Sequence, residues 1–156
     1  MANWKGRVRA TATPDVRATR GDIYRLSYKR AQRAIKAGFY LEAIALIESM
    51  MADRLESILA IQSRQPVHFR TAAQAASALR HTHPYRDSLL LKDVSAWSNG
   101  RSRWLHEFAK VSEHDHLTWR ARIADARDVA EAGLDLLKGV ASASQQARRA
   151  VRRSRG

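Results

Sequence analysis

The chain is predicted to fold as an all-α bundle of four or five helices. Three observations lead to this class. Apolar residues recur at helical rather than alternating spacing along most of the chain. No β-hairpin signal, phosphate-binding glycine loop or internal repeat is present. A length of 156 residues supports one domain with a hydrophobic core and argues against two. The expected organisation is a basic, flexible leader over 1–21, a single helical-bundle domain over 22–144 and a basic, flexible tail over 145–156.

The leader, MANWKGRVRATATPDVRATRG, holds Gly, Pro and Thr without a sustained apolar period and reads as extended or disordered. Asp22 is the expected cap of a first helix, Ile23 to about Ala37, with Ile23, Leu26, Ala31, Ala34 and Ile35 facing inward and Gly38 as its stop. The second helix, about Phe39 to Gln62, has the strongest pattern. Leu41, Ile44, Ile47, Met51, Leu55, Ile58 and Leu59 fall on one side, which makes it the expected central core helix. Glu48 breaks that stripe, lying four residues after Ile44 and three before Met51. It is either a half-exposed residue at the stripe's edge or a buried carboxylate that orients an Arg or a His, because a buried acid needs a partner.

Pro66 places residues 63–70 in a connection, and a short, Ala-rich third helix follows from Thr71 to about Arg80. Leu89, Leu90, Val94 and Trp97 fit a fourth helix that stops at Asn99-Gly100, a pair suited to left-handed backbone. A new or kinked helix from Arg101 carries Trp104, Leu105, Phe108 and Val111. The last helix is expected to begin near His116 or Leu117 with Asp115 as cap, and to run through Trp119, Ile123, Ala126, Ala130, Leu134, Leu137 and Ala141. Gly133 and Gly139 weaken it, and residues 141–146 are expected to fray into the tail.

Composition narrows the function classes. With no cysteine there is no disulfide framework, zinc-thiolate site or Cys nucleophile. No apolar run reaches the length of a membrane span and no secretory signal core is seen, so a cytoplasmic protein without membrane contact is expected. The formal net charge is +13, of which +4 falls in residues 1–21 and +5 in residues 145–156. Such ends read as polyanion-seeking arms, with Lys5, Arg7, Arg9, Arg148, Arg149, Arg152, Arg153 and Arg155 as candidate nucleic-acid contacts and Trp4 as a candidate stacking residue. His81 with His83, and His114 with His116, are weaker candidates for metal ligands, and no metal site is assigned.

The candidate catalytic pair is Arg101 and His106, because a guanidinium can hold a phosphate by a fork of hydrogen bonds while an imidazole exchanges a proton near neutral pH. Residues five apart on one regular helix point about 140° away from each other, so convergence on one phosphate requires the break at Asn99-Gly100. Trp97, a short break, Arg101, four residues and His106, preceded by YLEAIALIESMMADRLESIL, resemble the HEPN superfamily of small helical proteins over about residues 22–142.

That resemblance implies a metal-independent, cofactor-free endoribonuclease, acting as a toxin or antiviral defence effector. Its site would form across a homodimer, with an antitoxin or other protein as a partner. Arg101 would hold the scissile phosphate of RNA, and His106 would act as general acid or base while the 2′-hydroxyl attacks. Ser102 stands where the family commonly has Asn, Asp or His, and Glu48 would be a supporting residue from the second helix. The alternative is a non-catalytic helical module that binds RNA, DNA or an acidic protein through its basic tails.

Overall fold

The computed structural model describes residues 14–63, 71–114 and 116–153, apart from the side chains of Val16 and Ser102. Among these residues the elements are five α-helices, without a strand: α1 Pro14–Ala37, α2 Tyr40–Ser63, α3 Ala72–Arg80, α4 Leu89–Glu107 and α5 Trp119–Arg153. None of these helices is long and apolar enough to cross a membrane. The leader residues Trp4, Lys5, Arg7 and Arg9, the expected cap Asp115, Arg155, and the connection around Pro66 lie outside the described residues.

The centre is α2, as its pattern predicts. Ile44, Ile47, Met51, Leu55 and Ile58 are almost wholly buried, and so are residues off that stripe, namely Ala43, Ala52, Glu56 and Ser57. A helix buried around most of its girth must be enclosed by neighbours, and α2 is packed by all four other helices. α1 ends where expected. Gly38 adopts φ +83, and its amide and that of Phe39 donate to Ile35 O and Ala34 O at 3.1 and 2.8 Å, a left-handed cap that glycine adopts without steric cost. α3 opens on a capping box between Thr71 and Gln74.

Several expected boundaries shift. α1 starts at Pro14 rather than Asp22; proline is tolerated in the first turn, where its missing N–H leaves no intrahelical bond unmade. Ile23 and Leu26, expected inward, are 60% and 61% exposed. Ala31, Ala34 and Ile35 face inward as expected, and Tyr24 and Tyr28 extend that face in place of Ile23 and Leu26. α5 starts at Trp119 rather than at His116 or Leu117, because Thr118 supplies the cap by accepting from Ala121 N at 3.3 Å. At its far end α5 stays helical to Arg153 instead of fraying over 141–146, held by the buried Val140 and Ser144 and the half-buried Ala147. Residues 14–21 and 145–153, expected in flexible ends, are therefore helix.

The largest difference is α4, which runs unbroken through Asn99 and Gly100. The local preference of that pair is overridden because both halves are anchored in one core, Leu91 and Val94 before it and Trp104 after it. The glycines of α5 are also contact points rather than weak points. An added Cβ at Gly133 would lie 2.4 Å from the Trp97 ring, and one at Gly139 would lie 2.9 Å from Leu90. Trp97 completes this seat by donating from Nε1 to Val129 O at 2.8 Å. Arg122, buried on α5, donates to Phe108 O at 3.1 Å and to Leu117 O at 3.2 Å. It thereby neutralises the carbonyl end of α4.

Two glycine substitutions separate these effects in urea unfolding. Gly133→Ala is expected to destabilise by about 1–3 kcal/mol through overpacking against Trp97. Gly100→Ala meets open space within a continuous helix and is expected to stabilise by about 0.5–1 kcal/mol. A loss of stability in Gly100→Ala would instead mean that the chain breaks there.

Candidate functional site

Two polar constellations stand on opposite sides of α2. The first is built on Glu48. Its Oε1 accepts from Ala72 N at 2.9 Å, from Ser98 Oγ at 3.0 Å and from an Arg101 guanidinium nitrogen at 3.2 Å. Ser98 Oγ in turn accepts from Ala73 N at 3.1 Å. The Glu48 and Arg101 side chains are only 11% and 14% exposed, so the acid in the apolar stripe is a buried carboxylate that orients an arginine. Ser98 and Arg101 are one turn apart on α4 and flank Asn99-Gly100, so a single oxygen clips the helix across its weakest pair. The same oxygen and Ser98 satisfy two amides at the start of α3, where helix donors lack intrahelical partners.

His106 does not join this cluster. It is exposed in the last turn of α4, and without the expected break it lies about 140° around the helix from Arg101. Within one copy, then, Arg101 and Glu48 meet while Arg101 and His106 do not. Ser102 belongs to α4, but its side chain lies outside the described residues. No group of three His, Asp or Glu side chains among the described residues could hold a metal ion.

The second constellation is a cleft of about 570 Å³ formed by the N-terminal turns of α1, the C-terminal half of α2 and the C-terminal end of α5. Arg17 and Arg20 come from α1, Arg54 from α2, and Arg148 and Arg152 from α5. Each set shares a helix face: Arg17, Arg20 and Gly21; Arg54, Ser57 and Ile61; Arg148, Val151 and Arg152, all at spacings of three or four residues. No carboxylate is among the described residues lining it. Arg148 donates to Ser57 Oγ at 3.2 Å, and Arg54 lies over the Tyr24 ring with its guanidinium carbon 3.8 Å from the centroid.

The electrostatics of the cleft show in two side chains. Burial pushes the Arg148 guanidinium below its ordinary value, and the charges of Arg54 and Arg20 push it further, while Asp53 opposes them. Burial also raises the Tyr24 hydroxyl, with Arg54 opposing. Like charges held together in a half-buried cleft repel, and an anion placed among them relieves that repulsion. Arg148 and Arg152, two of the candidate contacts, line this cleft. Arg149 and Arg153 are exposed on the adjoining face. Arg54 was not visible as a site residue because it stands alone among acids in the sequence, and only its three-residue spacing from Ser57 hints at a shared face.

Compared with known proteins, the chain matches no family model, no curated protein and no solved structure. The resemblance to the HEPN superfamily therefore stands on its motif residues alone.

The Glu48 cluster makes a stability prediction. Arg101→Met leaves a buried carboxylate without its cation and should cost about 3 kcal/mol in urea unfolding, while pairing it with Glu48→Gln should cost less than the sum of the two single changes. Additive losses would show that the two side chains do not act on each other.

Proposed function

We propose that the protein is a helical nucleic-acid-binding module that holds the phosphate backbone of single-stranded RNA in the cleft between α1, α2 and α5. One observation carries this reading: five guanidinium groups from three helices line one cavity, with no carboxylate among its described lining residues. Guanidinium forks match phosphate oxygens two at a time, and the long, always-charged side chain suits a backbone rather than a neutral ligand. Arg152 also lies in the last turn of α5, where a cation offsets the negative end of the helix. That local role does not account for Arg17, Arg20 and Arg54 meeting it from two other helices.

The test is fluorescence anisotropy of a labelled single-stranded RNA titrated with the full chain at several salt concentrations. Five phosphate contacts predict a slope of log affinity against log salt near about −3.5, at roughly −0.7 per contact. Arg20→Gln and Arg148→Gln should each lower affinity several-fold and flatten the slope by about 0.7, whereas Arg33→Gln, exposed elsewhere on α1, should not. Equal weakening by Arg33→Gln would mean that net charge, not the cleft, binds RNA.

A second reading, metal-independent RNA cleavage by Arg101 and His106, draws support from the Glu48–Arg101 pair, which fixes the direction of that guanidinium. Because α4 is continuous, the His106 imidazole could reach this arginine's phosphate only from a second copy of the chain. This reading predicts RNA cleavage in EDTA that leaves 2′,3′-cyclic phosphate ends, is lost in His106→Ala, and rises with the square of protein concentration below the dimer's dissociation constant. Cleavage undiminished in His106→Ala would exclude it.

A further inference from the structure

Beyond Arg20, which lines both, the arginine cleft is adjoined by a second cavity of about 340 Å³ between α1 and α2. Asp53 and Arg54, consecutive on α2, line one cavity each, so the two are neighbours along that helix as well. The second cavity differs in chemistry from the first. Ile23, Tyr24 and Met50 give it apolar walls, and Ser27, Ser49 and Asp53 give it acceptors and hydroxyls. Ile23, left exposed against the expected inward pattern of α1, belongs to this cavity rather than to the core. An apolar slot with a few polar groups, next to a phosphate site, is the form of a pocket for a flat group with a polar edge that is covalently tied to a phosphate.

We propose that this cavity takes an unstacked guanine base of the strand whose phosphates lie on the arginine cleft. The inference rests on the RNA-binding reading and adds to it a base preference and a requirement for single strands. Guanine presents two adjacent donors, N1–H and N2–H, on one edge and two acceptors, O6 and N7, on another. The cavity offers two carboxylates as acceptors, Asp53 from α2 and Asp15 from the first turn of α1, and a guanidinium, Arg20, as donor. Asp53 already has a partner in the fold, and a carboxylate has about four lone-pair directions, so a base edge would share it with that partner. Adenine offers the carboxylate one amino donor beside a ring acceptor, and uracil offers one donor between two acceptors, so both leave groups unmatched. A base inside a duplex is stacked and paired and cannot enter. The Tyr24 ring has Arg54 over it and Tyr28 stacked at 6.4 Å, so the base is held at the side of that ring and against Met50 rather than by stacking on Tyr24.

The experiment is isothermal titration calorimetry of the full chain with 5′-GMP, 5′-AMP, 5′-CMP, 5′-UMP and inorganic phosphate, alongside the single-stranded RNA titration. GMP is expected to bind at least tenfold more tightly than AMP and UMP, and more tightly than CMP. Asp53→Asn should reduce GMP to the level of AMP while phosphate and RNA binding, relieved of an opposing charge near Arg148, are retained or strengthened. Ser49→Phe, which fills the cavity from an exposed position on α2, should do the same if circular dichroism shows the helices intact. Equal binding of the four nucleotides, or preference for another base, with phosphate and RNA binding retained, overturns the guanine pocket and leaves the cleft standing. Absence of salt-dependent RNA binding in the wild-type chain overturns the cleft itself, and the pocket with it.

Discussion

The constraint that orders this molecule is the burial of α2. A helix enclosed on nearly every side cannot leave its polar residues to water, which draws them to groups on neighbouring helices. Glu48 is answered by α3 and α4 through two hydrogen-bond donors and one cation. Ser57 is answered by α5 through Arg148, and Arg54 by α1 through the Tyr24 ring. The helical repeat separates these answers. Nine residues, from Glu48 to Ser57, amount to about two and a half turns, which places the acid cluster and the arginine cleft on opposite sides of the same rod.

This arrangement gives the two constellations different work. Around Glu48 the charges are matched: one buried carboxylate, one guanidinium and the amides of a helix start, a set that holds three helices in register. In the cleft no carboxylate is among the described lining residues, and burial beside other guanidinium groups disfavours the charged form of Arg148. Structural need accounts for the first set. The second is tied in part by Arg148 to Ser57 and by Arg54 to Tyr24, and a ligand carrying negative charge would offset the like charges gathered there.

Much of the fold was legible because it is written in local pattern. The helical period of α2, the stop at Gly38, the Ala-rich α3 and the misfit of Glu48 in an apolar stripe all follow from residues within one or two turns of each other. The continuity of α4 was not legible, because what carries the helix through Gly100 is distant in sequence: the core that anchors both its halves and a carboxylate about fifty residues earlier in the chain. The glycines of α5 misled for the same reason: each signals a weak helix locally, yet each is where α4 comes closest. Of the candidate site, the Glu48–Arg101 meeting was anticipated as one of two readings of that acid. The cleft was visible only as charge near the two ends, since no local signal shows that Arg54 meets Arg20 and Arg148.

The central claim is that RNA lies along the ends of α1 and α5 and the middle of α2. Amide hydrogen–deuterium exchange of the full chain, with and without a single-stranded oligonucleotide, reads this directly. The account predicts added protection over residues 14–24, 50–61 and 145–153, with α4 unchanged. Protection confined to the end of α4 around Arg101 and His106, with the cleft segments unaffected, would contradict it and place the nucleic acid on the other side of α2.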